Sequence, residues 1–372
     1  MAQITLSSRA LLRQQELHDF RIDTYTDQNG GKSLMRWIPP FRACRSLTAG
    51  GAALSPSGTV GDWFHPADLL LSSGLVADTD YTVYTMGGYW VDMYLCSSSD
   101  ATAASMGTVC SSGTDAYVSQ ALVAPRVSQT VAHFKTYLKQ RFDKGDFKGS
   151  TTATTWAGKG GLITDAHWFE LWVWTRINRW LVRGNTNGYN NHPSDLPQWH
   201  DDANEIGILD GAQSAIYGAS VTGGGPESWN VPVSDFCGNR WEFTDGLRLY
   251  DGEIYTAGKT INPDAPTFPD TYTGYTKTNL TAAATGVTSG QSISKYREEA
   301  AIALHGFPET TTTAGTGPMD GQGFWYEDAS AEHIAMRGGS SRDGAQAPGA
   351  LGIDMAPSIA LWLFGGRAVL VP

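Results

Sequence analysis

Arg337-Gly338-Gly339-Ser340-Ser341-Arg342-Asp343-Gly344-Ala345-Gln346, running on to Pro357-Ser358-Ile359-Ala360-Leu361-Trp362-Leu363-Phe364-Gly365-Gly366-Arg367, is the stretch on which the fold is read. An Arg-Gly-Gly opening and a Gly-Gly-Arg close enclose a filling of charges, small residues and bare aliphatics. A regular frame around an irregular filling suggests a binding surface. Residues 359–364 alternate; as a strand they put Ile359, Leu361 and Leu363 on one face and Ala360, Trp362 and Phe364 on the other. If the second set faces the core, three aliphatics point outward, each worth about 1.5–3 kcal/mol to a partner that buries it fully. Arg342 and Asp343 would then supply a polar rim. The competing reading is a strand buried on both faces, with the aliphatics and Trp362 as core.

Working outward, the 372 residues suffice for one large core or two unequal ones. The 13 Trp, 15 Tyr and 43 Gly suit a loop-rich α+β domain packed around large rings. Only 17% of residues are charged and the net charge is −11, so no basic stripe is present to neutralise phosphates or anionic lipid. A nucleic-acid partner is therefore not expected. No apolar run reaches transmembrane length. Met1 to Leu12 lacks the apolar region of an ordinary secretory leader, so a surface role would need another export route or assembly into a particle before release. The sequence does not fix a location. Cys44, Cys96, Cys110 and Cys237 show no CxxC spacing; Cys96 and Cys110 close a loop as a disulfide or, equally, all four stay free thiols.

Local patterns predict helices over Ser8–Ile22, Val127–Phe142 and onward from Thr164. The second has a stripe of Val127, Val131, Phe134, Leu138 and Phe142, with lysines opposite. The third has Thr164 as cap, Asp165 in the first turn, and Trp168, Leu171, Trp172, Ile177 and Leu181 along one face. Trp174 and Trp180 widen that face, so burial on most sides is expected, with Arg183-Gly184 as the end. Arg36–Phe41 and Tyr84–Leu95 read as strands, Trp229–Tyr250 as short strands and turns, Ala257–Ser289 as a long surface insertion, Ser292–His305 as a short helix closed by Gly306, and Thr310–Gly317 as a linker. The domain division expected is an extension over 1–79 and a main domain over 80–372.

Four segments in order carry a family resemblance. Gly88-Tyr89-Trp90-Val91-Asp92-Met93-Tyr94, Gly161-Leu162-Ile163-Thr164-Asp165-Ala166-His167-Trp168-Phe169-Glu170, Gly238-Asn239-Arg240-Trp241-Glu242-Phe243, and the pair Arg337-Gly338-Gly339-Ser340 with Gly365-Gly366-Arg367 resemble the signatures of the formylglycine-generating-enzyme type of C-type lectin fold. Leu181–Asn187 and Arg36–Phe41 are similar to stretches of variable proteins of diversity-generating retroelements. That resemblance implies a C-terminal segment, about 337–367, rewritten by adenine-directed mutagenic reverse transcription, displayed by the lectin fold and binding a protein or other surface ligand. The positions at which Asn is usual in such segments are here Ser341, Arg342, Asp343, Gly352, Asp354, Ile359, Leu361 and Leu363, with Ser340 and Gln346 added, and Asn is absent from residues 320–372. Phage receptor-binding proteins belong to this group, so a virus-borne adhesin falls within the same expectation.

Catalytic alternatives are weaker. The copper-binding cysteine pair of the formylglycine-generating enzyme has no counterpart, since no cysteine follows Cys237. The eight histidines show no HxxxH or HExxH spacing. His200-Asp201-Asp202 with Glu205 reads as a metal cluster or a solvated loop, and His167 with Glu170 as a local polar face or a catalytic pair. Through the resemblance, Glu242 matches a position that binds structural Ca²⁺ in some members, a carboxylate being suitable chemistry for that ion. No other cofactor is expected. The functions expected are ligand binding, then a metal-dependent oxidoreductase of the same fold, then a purely structural phage or cell-surface component.

Overall fold

The computed structural model describes residues 21–46, 64–66, 81–177, 233, 236, 238, 240–257, 271–282, 289–297, 299, 302–312, 323–327, 331–340, 343 and 349–372. Strands dominate it and two α-helices accompany them among the described residues, an α+β arrangement. One sheet has six strands in the order Gly160–Leu162, Ala368–Leu370, Tyr89–Asp92, Lys32–Ile38, Ile22–Asp27 and Gly145–Asp146. A larger sheet of nine runs Thr276–Thr281, Glu253–Thr256, Trp241–Tyr250, Glu332–Arg337, Leu351–Met355, Gly323–Tyr326, Gln291–Tyr296 and Pro308–Thr312, with Phe364–Gly365 parallel to Trp241–Tyr250. The smaller sheet corrects the expected division at residue 79. Lys32–Ile38 lies between Ile22–Asp27 and Tyr89–Asp92, so residues 22–38 are built into a sheet of the main domain.

Helix α1, Val131–Gln140, follows from its stripe: Val131, Phe134, Leu138 and the flanking Val127 and Phe142 are all at most 2% exposed. Thr130 caps it by accepting the His133 N–H at 3.3 Å. Thr130→Ala is expected to cost about 1 kcal/mol, read as a lower denaturation midpoint at unchanged slope. Lys135 departs from the expected solvated side; it is buried and paired to Asp245 at 3.1 Å. Helix α2, Asp165–Ile177, has Thr164 as its cap, accepting the His167 N–H at 3.1 Å. Residues 165–175 are all buried, as expected of a helix with aromatics around its circumference. The helices serve different cores. Trp168, Phe169, Leu171 and Trp172 of α2 join Leu247, Leu249, Leu351 and Ile353, while Val131, Phe134 and Leu138 of α1 join Trp241, Phe243, Met336 and Phe364.

Three expected elements take other forms. The helix over 292–305 is instead the strand Gln291–Tyr296 and a single 3₁₀ turn, Ala303–His305, closed by Gly306 at φ +52°. Pairing of Ser292–Tyr296 with Pro308–Thr312 makes strand of the first part of the expected helix, and takes up part of the expected linker as strand. Within the expected insertion, Thr276–Thr281 forms an edge strand, its threonines suited to a pleated, half-solvated surface. Trp229–Tyr250 contains one ten-residue strand with an irregularity between Phe243 and Arg248. The first expected helix before residue 21, the end of the α2 helix after 177 and the His200 cluster lie outside the described residues.

Candidate functional site

Residues 338–366 run from Glu332–Arg337 of the large sheet, through its strands Leu351–Met355 and Phe364–Gly365, to Ala368–Leu370 of the small one, and so link the two. A buried arginine holds each end. At the first, Arg337 donates from Nε to Asp165 Oδ1 at 2.7 Å and from Nη2 to Asp165 Oδ2 at 3.0 Å. Arg337 also donates to the carbonyl of His305, whose Nδ1 lies 3.0 Å from Asp165 Oδ2. Asp165 opens α2, where the helix dipole favours a negative charge. Burial pushes its carboxyl up, but Arg337 and His305 outweigh that and hold it below the ordinary carboxylate range.

At the second end, Arg367 donates from Nε and Nη2 to both oxygens of Glu242, each at 2.9 Å, and from Nη1 to the Asp92 carbonyl at 2.8 Å. The Asp92 carboxylate accepts the Ala368 N–H at 2.9 Å and Arg141 Nη1 at 2.5 Å. All these charged side chains are fully buried. Frame residues read separately in the sequence thus pair with one another, Asp165 with Arg337 and Glu242 with Arg367, while Asp92 pairs with Arg141, which the sequence analysis did not single out. Glu242, the position the resemblance gives to Ca²⁺, has both of its oxygens accepting from Arg367. His167 and Glu170 are likewise engaged locally: His167 Nδ1 lies 2.7 Å from Thr164 Oγ1, and Glu170 accepts the Gly87 N–H at 3.0 Å.

The glycines of the opening frame have a backbone reason. Gly338 and Gly339 sit at φ +85° and +69°, where a side chain is strained, and a Cβ on Gly338 would stand 3.1 Å from the Phe236 carbonyl. Ser340 follows, buried, donating from N–H and Oγ to Asp343 Oδ2 at 2.6 and 2.8 Å. Those two expected contact residues are therefore bonded to each other, with Ser340 inward. Ser341, Arg342 and Gln346 lie outside the described residues. Gly352 and Asp354 sit on the strand Leu351–Met355. Gly352 is buried, and a Cβ there would meet Met336 Cε at 3.1 Å and Trp241 at 3.4 Å. Asp354 is half-buried; desolvation pushes its carboxyl up, against a smaller downward pull from His333.

The alternation expected over 359–364 is corrected. Only Phe364 and Gly365 are strand; 359–363 is an irregular loop ending in a turn. Its main chain is held by neighbours: Ser128 N–H to the Leu361 carbonyl at 3.1 Å, Trp241 N–H to the Leu363 carbonyl at 2.9 Å, and Phe364 N–H to the Leu361 carbonyl at 3.2 Å. Five residues of period two were too few to separate a strand from a loop pinned by its carbonyls. Leu361 is 41% exposed and Ala360 exposed; Ile359 and Leu363 are half-buried against the α1 core; Trp362 lies under the Arg240 guanidinium, 5.2 Å from ring to cation. Phe364 is buried, as expected of its face.

Arg126 is a residue the sequence reading missed. It is 2% exposed, and its Nη2 reaches Ser98 Oγ and the carbonyls of Met106, Gly107 and Thr108 at 2.6–3.1 Å. An isolated arginine between Pro125 and Val127 has no periodic signature; its apolar neighbours were the only signal.

Among the described residues, no group of three or more His, Cys, Asp or Glu is placed to hold a metal ion. Cys96 and Cys110 are free and buried, with no disulfide between them. Burial pushes the Cys110 thiol up to about 12 and Cys96 higher still, which leaves little thiolate for nucleophilic chemistry. No family model and no curated protein matches this chain. No helix among the described residues is long and apolar enough to cross a membrane.

Proposed function

We propose that this chain is a ligand-binding protein of the C-type lectin fold, formylglycine-generating-enzyme subtype, whose C-terminal segment is a diversified recognition surface. The observation that carries the reading is a division of labour between main chain and side chains in 356–365. The loop's path is set by backbone hydrogen bonds and by the Arg337 and Arg367 clamps, none of whose members is one of the ten candidate contact positions. Side chains at Leu361 and its neighbours can then change without moving the support. This is the property a rewritten binding segment requires. The ligand contemplated is a protein or other surface-borne molecule, and no covalent chemistry is part of the proposal.

Two experiments test it. Sequencing the DNA next to the coding region should find a near-copy of the stretch for 337–367 that differs only at adenines, beside a reverse transcriptase gene; without one, diversification by this route is refuted. At the protein level, a displayed library randomised at Ile359, Leu361 and Leu363 should retain folding in most members, with stability changes mostly within about 1 kcal/mol because Leu361 is exposed and the other two sites are half-buried. Widespread unfolding would support the competing reading of a purely structural tail. That second reading draws on one observation, the packing of Ile359 and Leu363 against the α1 core.

A further inference from the structure

Four large apolar side chains are exposed among the described residues: Ile22, Val109, Leu122 and Leu361. Three of them are tied to the stretch around Arg126: Val109 by a side-chain bond to its neighbour, Leu122 by the chain, and Leu361 through Ser128. The Arg126 guanidinium binds the Thr108 carbonyl at 3.1 Å, next to Val109, which is 41% exposed. Leu122, 57% exposed, precedes it by four residues, a span of at most about 14 Å. Two residues after it, Ser128 N–H holds the Leu361 carbonyl at 3.1 Å. Leu122 and Ser128 both have positive φ, 60° and 58°, conformations a non-glycine residue keeps only when its surroundings impose them. Ala124 N–H to the Thr102 carbonyl at 2.8 Å and Arg126 N–H to the Cys96 carbonyl at 2.8 Å supply that constraint.

We infer that the ligand-binding surface extends beyond the C-terminal segment onto an unvarying apolar ridge, Val109 and Leu122, and that its partner is a folded protein with an apolar centre and a basic edge. The inference rests on the reading of 337–367 as a recognition segment. Val109, Leu122 and Leu361 offer area and no hydrogen bonds, which suits a protein surface and not a carbohydrate. The edge beside Val109 is acidic. Asp100 accepts from Thr108 N and Oγ1, and Asp115 from Ser111 N, Ser112 N and Ser112 Oγ. These hydrogen bonds hold both exposed carboxyls below the ordinary range, so both are charged at neutral pH. With a net charge of −11, a second copy of the chain or an anionic surface is disfavoured as the occupant. Size agrees: a standard protein interface takes about 800 Å² from each side, more than one exposed leucine and its small neighbours present.

The experiment selects binders from full-length displayed chains randomised at Asp343, Asp354, Ile359, Leu361 and Leu363. The probes are lysozyme, a basic protein, and serum albumin, an acidic one. Val109→Ser and Leu122→Ser are then introduced singly into each selected clone. The expected result is lysozyme binders in excess, each weakened about 5- to 15-fold by Leu122→Ser and less by Val109→Ser, whatever its C-terminal sequence, at unchanged melting temperature. Lysozyme binders indifferent to both substitutions would refute the ridge and leave the recognition segment standing. Albumin binders of equal number and affinity would refute the basic edge. No binders to either probe would refute the recognition segment, and the ridge with it. Leu122→Ala, which removes most of the contact area without adding a hydroxyl, guards against a clone that Ser destabilises.

Discussion

Replacing Arg367 with Met is expected to destabilise the protein by about 3–5 kcal/mol. The guanidinium neutralises Glu242 through two hydrogen bonds of 2.9 Å, and both side chains are fully buried. Methionine fills a similar volume but leaves the carboxylate without a cation. It also frees the Asp92 carbonyl, which lies beside the entry of residues 368–370 into the small sheet. Because the loss comes mainly from an uncompensated charge, Arg367→Met with Glu242→Leu should recover much of it. Denaturant titration of both variants decides the matter. A double variant no more stable than the single one would show that geometry, and not charge, dominates at this site.

Asp165→Asn is expected to have an effect of the same size, about 3–5 kcal/mol, since it leaves Arg337 buried without its carboxylate. It has a second signature in pH. The folded carboxyl of Asp165 lies below its ordinary value, so its contribution is fully present above that value, about 3.9, and is lost as pH falls through the folded one. The wild-type protein should therefore lose stability below about pH 4 more steeply than the Asn variant. Parallel curves for the two proteins in urea, from pH 5 down to pH 2.5, would contradict the assignment of Asp165 as the ion-pair partner.

Local pattern carried the helices. The α1 stripe, the Thr164 cap and the aromatic wrapping of α2 each depend on residues within a few turns, and periodicity reports such contacts directly. The hairpin over 291–312 was illegible for the opposite reason. Its strand character comes from pairing across a left-handed glycine, while Arg297-Glu298-Glu299-Ala300-Ala301 read alone favours helix. The clamps show the same limit. Arg337 and Arg367 were legible as a frame, but their partners lie 172 and 125 residues away, and nothing in spacing links them. Of the candidate contact positions, Ser340 and Gly352 turned out buried, and the 359–363 alternation dissolved into a loop whose shape is set by carbonyl contacts that carry no residue signature.

The closure of the small sheet also sets an order in time. The carboxylate of Asp92 receives the Ala368 N–H, 276 residues further along the chain. At about 5–20 residues per second, a ribosome finishes one side of that pairing roughly 15–55 s before it makes the other. Through that interval Tyr89–Asp92 lacks one neighbour, and Gly160–Leu162 lacks its link to the sheet. An open strand edge is an invitation to a wrong partner. Synthesis therefore reaches residues 356–363 before the strand that seals the small sheet. A sequence change that kept those residues from following their loop would leave the nascent chain unsealed, exposed to chaperones and proteases.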